Sequence, residues 1–242
     1  MTFFSVIARA SARSNLLTIW EIASSLTPFV PRIDVILLLL SSFILVSCST
    51  NTPQTTPQLV TVYSTAAAQP WLSELYTCAS SSTVISRVDD SSSADIILRI
   101  GAPEFLAFHA YQIDTEEILI VTHRQSHVQN LTLEEARSLF AGQGDLSVQV
   151  WVYASGEDVQ EVFDEAVMEG STVTSSARVA ANPQQMSDTL VNGSNGVGIL
   201  PRHWKAGDVR DVYYVATVPV LAITQSEPQG TIRELIACLQ SK

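Results

Sequence analysis

"VTVYSTAAAQPW", residues Val60 to Trp71, changes its period partway through. Leu59 to Tyr63 reads as a short strand. Ser64, Thr65 and three alanines then turn the chain, and Pro70 opens a helix. Trp71, Leu72, Leu75, Tyr76 and Ala79 share one face of that helix. "VQVWVYASGEDVQ", Val148 to Gln160, repeats the pattern: a strand to Tyr153, a turn of small residues at Ser155 and Gly156, then an amphipathic helix. Val159, Val162, Phe163, Ala166 and Val167 line its buried face, Ser155 is placed to cap it, and Gly170 ends it.

Between and beyond these units the alternation continues. Thr83 to Val88, Asp95 to Ile100 and Glu117 to Thr122 read as strands, and "LTLEEARSLFAG" as a helix with Thr132 and Glu135 in capping-box spacing. Asn182 and Pro183 open another helix. Gly198 to Leu200, Val212 to Val215 and Val218 to Ile223 are strand-like, and Pro228 to Leu239 forms a last helix. Strands alternating with helices predict an α/β fold with a mainly parallel sheet flanked by helices. Ligands of such sheets sit at the carboxyl ends of strands, which directs attention to the two Ser-containing loops.

Ahead of the first strand, "LLLLSSFILVSCSTNTPQTTPQ" (Leu37 to Gln58) turns from apolar to polar at Cys48. Its apolar run, Val35 to Val46, is twelve residues; a membrane-spanning helix needs about 20. With Arg32 before it, the run has the form of a signal-peptide core. Leu45, Val46, Ser47 and Cys48 resemble the bacterial lipobox, in which the chain is cut before the cysteine and the cysteine is lipidated. Residues 1–47 are therefore expected to be a signal region, with 1–29 as an over-long start. Residues 48–58 have the composition of a disordered tether.

The first 47 residues carry Arg9, Arg13 and Arg32 against Glu21 and Asp34, so their removal takes the net charge from −11 to −12. So acidic a body is a poor partner for nucleic acid or for a basic-patch membrane contact. Cys78 and Cys238 remain, an even number in an exported chain, and form either a disulfide or two buried thiols. His109, His123 and His127 lack metal-ligand spacing on a common element, and no metal or cofactor is expected. No nucleophile elbow, Walker loop or dinucleotide fingerprint occurs, so an enzyme is not expected.

In their order, these segments resemble the phosphate-type substrate-binding lipoproteins of ABC transporters. The resemblance rests on the lipobox and tether, the first strand running into Ser64 and Thr65, the stretch from Ala94 and Asp95 to Gly101, Ala102 and Pro103, the Leu131–Gly142 helix, and "NGSNGVGILPRHW". It covers about Val60 to Leu239. It implies the type 2 periplasmic binding fold, with lobe one at 59–122 plus 215–242 and lobe two at 123–214, and with Cys78 and Cys238 both in lobe one. The interlobe cleft would hold a small anionic or polar solute on Ser64, Thr65, Arg99, Ser155 and Gly156. The partners implied are the transporter permease and, through the lipid on Cys48, the outer face of the membrane. A monomer is expected.

One departure bears on the ligand. The family's phosphate binders place an arginine before the Ser-Gly pair and a threonine after it, whereas this chain reads Tyr153, Ala154, Ser155, Gly156, Glu157, Asp158. Glu157 and Asp158 suit a helix start but repel phosphate. The rival expectation is therefore an envelope adaptor or sensory module that keeps the fold without small-ligand binding.

Overall fold

The computed structural model describes residues 57–242. Cys48, the expected signal region and nearly all of the tether lie outside the described residues. The opening stretch forms β1 (Gln58–Ser64) and α1 (Gln69–Cys78). Val60, Val62 and Ser64 point into the core, and Pro70 sits in the first turn, where no N–H is needed. β2 (Thr83–Arg87) and β3 (Ile96–Ile100) flank β1, both parallel to it.

Two strands are far longer than the usual five or six residues. β4 (His109–His123) and β8 (Val209–Thr224) have 15 and 16 residues. They pair antiparallel from His109 opposite Thr224 to His123 opposite Val209. The C-terminal part of β8 also pairs with β3, and the C-terminal part of β4 pairs with β7 (Gly196–Pro201). β7 in turn lies parallel to β5 (Gln149–Val152), which pairs with β6 (Arg178–Val179). The order is β2-β1-β3-β8-β4-β7-β5-β6. Two parallel three-strand blocks thus flank one antiparallel crossing pair, and each block with its helices is a lobe.

The sequence reading placed a strand only at Glu117 to Thr122 and divided β8 in two. His109 to Glu117 is mostly half-exposed or exposed, with only Ile113 and Glu116 buried, so it carries no apolar run. Pro219 breaks the pattern of β8, since proline cannot donate to a ladder. It is tolerated because it sits where β3 has run out, one residue past the Ile100–Val220 pair.

The remaining helices are α2 (Leu133–Phe140), α3 (Asp158–Phe163, continued by a wider turn over Asp164–Met168), α4 (Pro183–Asn192) and α5 (Gly230–Gln240). Both bonds of the Thr132–Glu135 capping box form. Ser155 does not cap α3; the residue before that helix is Glu157, which makes no side-chain cap bond. Glu157, the one residue between Gly156 and the helix, is extended, which puts Asp158 at the first helical position. α1 and α5 pack on one another, and Cys78 and Cys238 are joined between them, with Cα atoms 6.0 Å apart. No helix of the described residues is long and apolar enough to cross a membrane.

Candidate functional site

Ser64 ends β1 with Thr65 directly after it, and Arg99 and Ile100 end β3, at the carboxyl edge of lobe one. α3 begins directly opposite. Asp158 is 3% exposed. Its Oδ2 accepts the Thr65 hydroxyl at 2.6 Å and the Ile100 N–H at 2.9 Å, while its Oδ1 accepts the N–H of Val159 at 2.9 Å. The proton of the Thr65 hydroxyl is thereby used, and its oxygen also accepts the Ala68 N–H at 3.3 Å.

Arg99 is likewise engaged. One of its terminal nitrogens meets Glu161 Oε2 at 2.7 Å, and its Nε donates to the Gly101 carbonyl at 3.2 Å. Gly101 adopts φ +72°, and a β-carbon there would lie 3.0 Å from Val162 of α3, so the lobes are in close approach at this point. Helix α3 therefore reaches across the cleft through two carboxylates and one apolar contact.

A second seam closes beside the crossing strands. Trp204, just after β7, donates its indole N–H to the Ala67 carbonyl at 2.9 Å, and the His203 ring lies 4.7 Å from that of Trp71. His203 Nδ1 is paired at 2.5 Å with Glu116, a residue in the middle of β4 whose side chain is 1% exposed. Glu116 Oε1 also accepts the Glu117 N–H at 3.0 Å.

The expected ligand residues divide. Thr65 and Arg99 face α3, and each is bonded to a carboxylate of this chain. Ser64 is buried in lobe one, with its hydroxyl donating to the Thr65 carbonyl at 3.0 Å. Ser155 and Gly156 are exposed and make none of these cross-cleft bonds. The residues missed from sequence are Asp158 as an acceptor for lobe one, Glu161, Trp204 and the Glu116–His203 pair. The absence of the family's arginine beside an acidic helix start was the available signal for the first two.

Burial pushes the Asp158 carboxyl up from its ordinary range, opposed by the bonds from Thr65 and Ile100, by the charge of Arg99 and by the Val159 N–H. Glu157 is raised by burial and by repulsion from Asp158 and Glu161. Glu116 is raised by burial, against the pull of His203. A carboxyl raised on folding favours the fold in its protonated form. Its contribution is full below about pH 4, the unfolded value, and is lost as pH rises through the folded one. Urea midpoints should therefore be higher at pH 5 than at pH 7.5, and Glu116→Gln should shrink the difference. A midpoint that falls toward pH 5 would contradict this assignment.

Elsewhere, a groove of about 1260 Å³ runs beside α2. Of the groups that line it, His127 is paired with Asp145 at 2.9 Å, and Arg137 with the Val167 carbonyl and with Glu169. Among the described residues no group of three or more His, Cys, Asp and Glu side chains could hold a metal ion.

The sequence matches no family model and no curated relative. The fold does have solved counterparts. A Clostridium perfringens protein described as a phosphate ABC transporter substrate-binding protein, with phosphate bound, superposes with a TM-score of 0.67 at 14% identity, over 75% of this chain and 93% of that one. An ABC-type phosphate transport receptor from Vibrio cholerae gives 0.56 at 17% identity, over 76% and 94%. The regulatory domain of Synechocystis CcmR, in complex with 2-PG, gives 0.58 at 8%, over 76% and 96%. At these identities the likeness is one of fold: the chain has the two-lobed α/β architecture of the type 2 periplasmic binding proteins, which transport receptors share with regulatory domains.

Proposed function

We propose that this chain is an extracytoplasmic module, tethered through Cys48, that keeps the solute-binding fold but holds its cleft shut with its own side chains and presents the closed body to an envelope protein. One observation carries this reading: the carboxylate of Asp158 occupies the donors of lobe one, Thr65 and Ile100, at 2.6 and 2.9 Å. A ligand would have to displace a bonded internal group before it could bind. The cation in reach, Arg99, is neutralised by Glu161. The role is one of binding rather than catalysis.

A second reading is a solute-binding protein feeding an ABC importer. It is favoured by the hydroxyl-bearing loop at Ser64 and Thr65, and by the likeness to a transport protein that holds phosphate. A thermal-shift series on the full chain separates the two. Phosphate, sulfate, molybdate, small carboxylates and amino acids would be titrated at fixed ionic strength. The closed module predicts a flat response. A ligand at 100 times its Kd adds about 2.7 kcal/mol, so any rise of several degrees would establish the second reading and name the solute.

A further inference from the structure

Asp158 would be unremarkable if it bonded only its own helix, as an acidic first-turn residue does. The Val159 N–H is such a local bond. The other two donors are not local: Thr65 and Ile100 lie 93 and 58 residues away in sequence, on neighbouring parallel strands of the other lobe. Both converge on one oxygen. They are a hydroxyl whose oxygen already accepts from Ala68 and a backbone N–H at a strand end, so neither has another partner in the site. An internal side chain thus occupies the place where the cleft of this fold meets a ligand.

We infer that the pocket made by Thr65, Ile100 and Arg99 is a carboxylate receptor, that Asp158 is its resident intramolecular ligand, and that the free ligand it accepts once the Asp158 side chain is removed is a monoanionic carboxylate. The inference rests on the self-filled cleft proposed above and gives its chemistry. The two donors of lobe one converge on a single oxygen with the charge of Arg99 nearby, which suits a small, singly charged acceptor. A phosphate dianion would bring a second charge beside Glu157 and Glu161, against a single arginine already paired at 2.7 Å. Burial raises the carboxyls of both Asp158 and Glu157, and repulsion from Asp158 and Glu161 adds to it at Glu157. In the wild-type chain a free carboxylate does not compete, because a group fixed on a packed helix has an effective concentration well above the millimolar range of a flexible tether.

The test removes the resident group. Full-length Asp158→Ala is titrated with sodium formate and sodium acetate against sodium chloride at equal ionic strength, reading Tm. At ten times its Kd, formate should raise Tm by roughly 3–5 °C. Wild type should not respond, and Asp158→Ala combined with Thr65→Val should lose the response. The inference is overturned if formate acts no more than chloride, or if the double variant responds equally. A rise under phosphate as large as under formate overturns the ligand class. Should Asp158→Ala not fold in chloride, its refolding yield is compared in formate and in chloride. Recovery in formate alone supports the receptor, and equal failure in both overturns it. A phosphate response by the wild-type chain would instead defeat the closed-module reading, and would leave the formate result on the variant to stand or fall by itself.

Discussion

Replacing Cys78 and Cys238 with serine should lower the stability of the folded body by about 4 kcal/mol. The bond closes a loop of 160 residues, for which the chain-entropy model gives roughly 5 kcal/mol and measured bridges usually somewhat less. Most of the effect acts on the unfolded chain. The signature is therefore double: a lower urea midpoint and a steeper dependence on urea, since the uncrosslinked chain exposes more surface. Reduction of the wild-type chain should reproduce both. A loss below about 1 kcal/mol would mean that contact between α1 and α5 already confines the unfolded state.

Trp71→Ala should cost a similar amount, about 4 kcal/mol, for a different reason. Truncating a buried tryptophan loses transfer energy and leaves a cavity, and Phe or Trp to Ala typically costs 3–5 kcal/mol. Trp71 is 2% exposed, and its ring faces His203 of the other lobe while its Nε1 donates to Asp114 at 2.9 Å. Asp114 is itself exposed, so water replaces that bond at little cost. The interlobe share can be isolated with His203→Ala in a double-mutant cycle, where a coupling of roughly 0.5–1.5 kcal/mol is expected. Equilibrium urea unfolding of the four proteins measures it. Zero coupling would show that the stack contributes nothing to closure.

How far the molecule could be read from its residues depended on the range of the interactions involved. The loop at Ser64 and Thr65 was legible because β1 and α1 announce themselves by period and by Pro70 within twelve residues. The capping box at Thr132 was legible for the same reason, all its parts lying within one turn. The full lengths of β4 and β8 were not, because they are defined by each other: His109 to Glu117 is held as a strand by residues a hundred positions downstream. Ser155 looked like a cap, but the helix starts at Asp158 instead, where lobe one holds the carboxylate. Local sequence marked Asp158 as acidic and near a helix start. That it serves as an acceptor for Thr65, 93 residues earlier, is a tertiary fact with no local signature.

The strand order has a consequence for how the molecule is made. β8 lies between β3 and β4, at the centre of the sheet, yet among the described strands it is the last to leave the ribosome. Until residues 209–224 emerge, β3 and β4 each present an open edge, and the two blocks have no backbone ladder between them. Such late, non-local pairing slows folding and leaves edges that can recruit other chains. A nascent chain stopped between Pro201 and Val209 is therefore two half-sheets with sticky margins, and the centre of the sheet can form only once β8 has emerged.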